Sequence, residues 1–153
     1  MFKKTKQKLL ISSCLLGELV KYNGGHNLID ESYIERLQKN YQLYPFCPEV
    51  QGGMSTPRVP CEIVSNNPIK VMDKDAYDQT KFFIDGANKA LELCIKYKIK
   101  KALLKSNSPS CGSEYIYDGT FSGDKIKGEG ITTKILRKNN ILVVDEINID
   151  ILF

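Results

Sequence analysis

Four short apolar runs, each bounded by turn-forming residues and separated by helix-length segments, constrain this chain most. They fall at residues 8–12, 41–46, 101–105 and 141–144. Unbroken apolarity in such short runs is expected of strands covered on both faces; a strand with one wet face alternates apolar with polar. Between the runs the period changes to that of a helix. Segment 30–40 opens on Asp30, a capping residue, and places Ile34 and Leu37 on one face. Segment 75–97 carries Phe82, Phe83, Ala87, Ala90, Leu91, Cys94 and Ile95 at helical spacing. Segment 132–140 is a shorter helix that stops at Asn139 and Asn140. This alternation predicts an α/β fold with a mainly parallel four-stranded sheet in Rossmann-like layering. Two irregular insertions interrupt it. Segment 52–72 is rich in Pro and Gly, with strand-like pieces at 62–64 and 70–72. Segment 112–130 contains Asp118-Gly119, a hairpin-turn signal. With 153 residues and neither a linker nor an internal repeat, the expected organisation is a single domain over 1–153.

Composition narrows the function classes. A hydrophobic content of 42% suffices for a real core and argues against a disordered chain. No apolar run approaches the roughly 20 residues of a membrane-spanning helix, so no membrane role is expected. Lysines ahead of the first run superficially resemble a signal peptide. However, Ser12 and Ser13 interrupt the apolar stretch, and Glu18 and Lys21 follow without a small-residue cleavage site. The expectation is a lysine-rich lead into the first strand of a cytoplasmic protein. The net charge of +4 is spread along the chain with no aromatic-interleaved basic stripe, which predicts no specific DNA binding. Five cysteines, an odd number, in a reducing compartment point away from a disulfide framework. Packing, metal or cluster ligation, and nucleophilic catalysis remain.

Position along the chain separates these uses. Cys14 follows the first strand, Cys47 the second and Cys111 the third. In open parallel α/β sheets, ligands bind beyond the carboxyl ends of the strands, so these thiols are expected on one rim. Cys94 lies on the apolar face of its helix, where a small thiol packs well. Cys61 lies in strand-like surroundings that favour packing. Three rim thiols without a Cys-x-x-Cys knuckle, and with His26 as the sole imidazole, disfavour a closed zinc site. They suit a three-thiolate [4Fe–4S] cluster with one iron open. Two other uses stay open: unrelated small residues in turns, or a single nucleophilic cysteine. Glu49, two residues beyond Cys47, is a candidate acid–base group. Ser12, Ser13, Ser108 and Ser110 flank the thiols as possible hydrogen-bond donors to a cluster or a substrate. Arg58, in a Pro-bounded loop, is a candidate clamp for a polar ligand. Gly24-Gly25 and Gly52-Gly53 offer backbone N–H groups to an anion or a ring.

The ordered motifs SCLLG with YNGG, CPEVQGGMSTPR, LLKSNSPSCGS, YDGTFSG and GEGITTKILRKNNILVVDE resemble the bacterial and archaeal thiouracil desulfidase family over essentially the whole chain. The resemblance implies a [4Fe–4S] cluster held by Cys14, Cys47 and Cys111, its open iron taking the sulfur of a thiolated pyrimidine. Water would then displace sulfide without net redox change, giving uracil and hydrogen sulfide. On the same basis Glu49 is the expected acid–base residue. Ser108 or Ser110 would donate or position a proton, and Ser13 and Arg58 would bind substrate. The expected partner is a small thiolated base, with thiolated RNA as the larger alternative. Cys61 departs from the family pattern, which has a small non-thiol residue there. From another class, the rival is a module that binds metal, cluster or thiolated RNA without turnover.

Overall fold

The computed structural model describes residues 5–153; residues 1–4, with the Lys3 and Lys4 portion of the lysine-rich lead, lie outside the described residues. The central sheet is built from β1 (Gln7–Ser12), β2 (Tyr41–Phe46), β5 (Lys101–Leu104) and β8 (Leu142–Asp145). All neighbours run parallel, in the order β2-β1-β5-β8. The order therefore reverses between β1 and β5, which makes the gap between their carboxyl ends the topological switch point.

Side-chain alternation along each strand defines the two faces. Leu9, Ile11, Leu103 and Val144 pack against Leu37 of α1 (Glu31–Asn40) and against Ile149 and Leu152 of the C-terminal 3-10 segment Glu146–Leu152. Leu10, Ala102, Leu104 and Val143 turn the other way. They meet Ala90 and Cys94 of α3 (Thr80–Tyr97) and Leu136 of α4 (Ile131–Lys138). Helices on both faces explain why the strands read as apolar runs rather than as alternating ones.

Helix α3 differs from its sequence reading in two respects. Helix α3 begins at Thr80, five positions later than the periodicity of 75–97 suggests. The Asp73 carboxylate accepts from the backbone N–H groups of Asp75 and Tyr77 and from the Gln79 amide, locking the intervening residues into a turn. Its buried stripe is also narrower: Phe83, Ala87, Ala90 and Cys94 are buried, whereas Phe82 and Ile95 stay exposed.

The first insertion forms the antiparallel hairpin β3 (Cys61–Asn66) and β4 (Ile69–Asp73). It packs on α3 through Cys61, Ile63, Val71, Phe83 and Ala87. The second holds β6 (Tyr115–Tyr117) and β7 (Lys125–Lys127), also antiparallel. Their connection, 118–124, is longer than the two-residue turn that Asp118-Gly119 suggests. Asp118 turns the chain by accepting from the Thr120 N–H and hydroxyl. Between β2 and the first hairpin lies the single turn α2 (Pro48–Gln51). No helix among the described residues is long and apolar enough to cross a membrane.

Candidate active site

Each rim cysteine owes its position to a different strand end. After β1 the chain enters a 3-10 turn, Ser13–Leu16, that ends at Gly17 in the left-handed region (φ 93°). Cys14 sits in this turn, half-buried, and its carbonyl accepts from the N–H groups of Gly17 and Asn27. Cys47 joins β2 to α2 in extended conformation. Its position is set by close backbone packing: a Cβ on Gly86 of α3 would overlap the Pro48 carbonyl, so only glycine lets α2 seat there. Cys111 lies beyond β5 in a loop fastened to the start of α4. Thr132 N–H donates to the Ser110 carbonyl (2.9 Å) and the Thr133 hydroxyl to the Cys111 carbonyl (2.8 Å).

All three thiols open on one cavity of about 430 Å³ at the carboxyl end of the sheet, between the ends of β1, β2 and β5. Burial pushes every one of them up from the ordinary thiol value. Cys14 is raised by burial, with the Asn27 side chain and then the Lys105 charge opposing. Cys47 is raised by burial, with the Val50 N–H opposing. Cys111 is pushed up to about 12 by burial, against the hydroxyls of Ser110 and Ser12. The one imidazole, His26, does not line the cavity; its Nδ1 accepts from the Leu28 N–H instead.

A polar chain runs along one wall. Ser108 Oγ lies 2.8 Å from Ser110 Oγ, and Ser110 Oγ donates to Glu49 Oε2 at 2.8 Å. The Ser110 hydroxyl also lies 3.5 Å from Cys111 Sγ, so one proton faces two acceptors. Ser12 Oγ donates to the same sulfur at 3.6 Å. The other Glu49 oxygen, Oε1, accepts from Arg58 Nε at 3.2 Å. Arg58 does not line the cavity. Its guanidinium is spent on Glu49, on the carbonyls of Val20 and Ser55 and on the Thr56 hydroxyl, behind the wall rather than in the ligand space. Ser13 does line the cavity, and its Oγ is a buried polar atom with no hydrogen-bond partner among the described residues.

The remaining candidates separate cleanly. Cys94 is enclosed in the core beneath α3. Cys61 belongs to the core under the first hairpin yet also borders the cavity; burial raises it to about 12. The paired glycines are not free anion donors. The N–H groups of Gly24, Gly52 and Gly53 close their own turns, and that of Gly25 meets the Asn23 side chain. Sequence reasoning missed Asn27, Glu62, Lys105 and Tyr117, all of which line the cavity. Lys105, the last residue of the run read as the third strand, instead follows directly after β5 and pairs with Glu146 at 2.7 Å; its place at a strand's carboxyl end was the available signal.

Fold and site together define a class: a parallel α/β protein with three strand-end thiols and a carboxylate–serine chain at the switch point of its sheet. A model of the 2-thiouracil desulfurase family matches residues 9–148, and the chain belongs to that family, whose activity is that of a desulfidase. It is 39% identical over 145 residues to the uncharacterized protein YbbK of Bacillus subtilis (strain 168), covering 90% of this chain and 95% of that one. A solved structure, the [4Fe-4S]-dependent thiouracil desulfidase TudS, superposes with a TM-score of 0.89 at 41% identity. That match covers 96% of this chain and 95% of that one.

Proposed function

We propose that this chain removes sulfur from a small thiolated pyrimidine such as 2-thiouracil, releasing uracil and hydrogen sulfide, with a [4Fe–4S] cluster held by Cys14, Cys47 and Cys111. The observation that carries this reading is the convergence of three thiols from three strand ends on the cavity that also receives the Glu49–Ser110–Ser108 chain. The donor set fits the group. Thiolates are the ligands that iron–sulfur clusters select, and the unpartnered Ser13 hydroxyl is a donor still to be satisfied there.

When bound, the cluster supplies a Lewis-acidic iron without a protein ligand, able to polarise a carbon–sulfur bond without transferring electrons. The protein's own residues supply the rest. Water takes the place of sulfur at the ring carbon: the bonds from carbon to oxygen form, those to sulfur break, and both water protons end on sulfur as hydrogen sulfide. Glu49, the carboxylate on the polar chain, accepts these protons from the water in turn and passes them on, and Arg58 holds it oriented. Ser110 and Ser108 carry a proton along the wall, and Ser13 donates to the ligand. A cavity of about 430 Å³ supports a base or nucleoside over RNA as the ligand. Five free cysteines support a reducing location, the cytoplasm.

The test is anaerobic reconstitution with iron and sulfide, followed by visible absorbance and by sulfide release from 2-thiouracil. Brown protein that loses both colour and sulfide release on substitution of Cys14, Cys47 or Cys111 is the expected result. Colour without sulfide release from any thiolated base would replace the enzyme by a binding module. Failure to bind iron under strict anaerobiosis would remove the cluster.

A further inference from the structure

The cavity holds a second carboxylate with a different environment from the first. Glu62, on β3, is 8% exposed and lines the cavity. Its Oε1 accepts from the backbone N–H groups of Gly119 (2.9 Å) and Phe121 (3.2 Å) in the connection of the second hairpin. Its Oε2 makes no hydrogen bond among the described residues, and no Lys or Arg pairs with it there. Glu49 by contrast has both oxygens engaged, one by Arg58 and one by Ser110.

We infer that Glu62 recognises the substrate ring: its free Oε2 accepts a ring N–H of the thiolated pyrimidine and so selects bases that carry that hydrogen. This rests on the desulfidase reading and adds the specificity determinant to it. Without a protein donor, that oxygen is left to solvent, and a ligand that brings an N–H can take the place of the water there. 2-Thiouracil presents N–H groups on both sides of the carbon that bears sulfur, whereas the unpartnered Ser13 hydroxyl can donate to the rest of the ring. The two carboxylates thus divide the work. Glu49, charge-compensated and wired to two serines, handles protons; Glu62, held by backbone alone, reads the ring. A site built around such an acceptor discriminates far more strongly than an apolar wall does. The same carboxylate seats the hairpin that brings Tyr117 and Gly123 to the cavity, so ring recognition and closure of that wall depend on one side chain.

The variant is Glu62→Gln. It keeps an acceptor oxygen for the Gly119 and Phe121 N–H groups but presents an amide donor to the cavity in place of the acceptor. Sulfide release by the reconstituted enzyme is measured with 2-thiouracil and with its 1-methyl and 3-methyl derivatives. Uracil binding is measured by calorimetry on the same samples. The expected loss is about 10- to 100-fold in kcat/KM on 2-thiouracil, as for a hydrogen bond to a charged group. Less than about threefold should be lost on the derivative whose methyl replaces the recognised hydrogen, because that interaction is already gone. Uracil should bind correspondingly more weakly, with cluster absorbance unchanged. Equal losses on all three bases would overturn the inference, since they would mark Glu62 as a hairpin anchor only; an unaltered variant would do the same. If the parent enzyme releases no sulfide, the desulfidase reading fails. Weaker uracil binding by Glu62→Gln would then still support ring recognition, and unchanged binding would refute it.

Discussion

Replacing Arg58 tests how the acid–base carboxylate is held. The Arg58 and Glu49 side chains are 6% and 15% exposed, so the pair is largely shielded from solvent, with Glu49 reaching it only through the cavity. Arg58→Ala leaves Glu49 without its counter-charge and also removes donors from the carbonyls of Val20 and Ser55 and from the Thr56 hydroxyl. Breaking a buried pair by deleting one partner costs about 3–5 kcal/mol. At about 2–4 °C per kcal/mol for a chain of this size, the melting temperature should fall by roughly 6–20 °C. Arg58→Lys retains the charge but lacks the planar fork that spans Glu49 and two backbone carbonyls, so it should recover only part of the loss. If the uncompensated charge is the main cost, Glu49→Gln in the Arg58→Ala background should restore stability by about 1–2 kcal/mol even though it destabilises the parent. Urea unfolding of the cluster-free protein under reducing conditions, followed by circular dichroism, reads all four corners of the cycle. An Arg58→Ala midpoint equal to that of the parent would refute the buried-pair argument. A double variant no more stable than Arg58→Ala would show that the lost backbone contacts, not the charge, carry the effect.

Three further outcomes follow from individual contacts. Cys94→Ser buries a hydroxyl beneath α3 and should cost about 1–3 kcal/mol in urea unfolding, yet leave iron content and sulfide release at parent levels. Gly86→Ala drives a Cβ into the Pro48 carbonyl. It should destabilise by about 1–3 kcal/mol and, because Cys47 and Glu49 ride on the displaced turn, lower sulfide release as well. Burial alone would raise the Glu146 carboxyl, but the Lys105 ammonium and the Ser106 N–H overcome this and hold it below the usual range. A depressed folded value contributes stability above the unfolded pKa that is lost as pH falls through the folded one. Glu146→Gln should therefore flatten the acid side of the stability–pH curve measured by thermal unfolding, and an unchanged acid limb would contradict the assignment.

The sheet was legible because both of its faces are covered: a doubly buried strand leaves a compact apolar run, and the boundaries read for β2 coincide with those observed. The start of α3 was not, since helical periodicity continues through residues that the Asp73 carboxylate folds into a turn. The rim was legible for a topological reason: a residue just past a parallel strand's carboxyl end has few other places to go. The partnership of Arg58 with Glu49 was hidden because it depends on the irregular path of 52–57, which no periodicity encodes. Glu62 was hidden more deeply. Its partners, the N–H groups of Gly119 and Phe121, lie in the connection of the second hairpin, far along the chain, and no local pattern encodes that meeting.

The same topology bears on when the proposed cluster can be loaded. Cys14, Cys47 and Cys111 hang from three strands, and 33 and 64 residues separate successive thiols along the chain (47 − 14 and 111 − 47). A knuckle with two nearby ligands can bind metal while the chain is unfolded; ligands this far apart meet only once β1, β2 and β5 are in register. The core supports folding without the cluster, because buried apolar side chains cover both faces of the sheet, with Cys111 part of one face's core and Cys14 packed against the other. The cluster-free protein is therefore expected to unfold cooperatively in urea, and loading should raise the midpoint by selective binding to the folded state. A cluster-free protein with no cooperative transition would show the reverse order, with the thiols organising the sheet rather than the sheet the thiols.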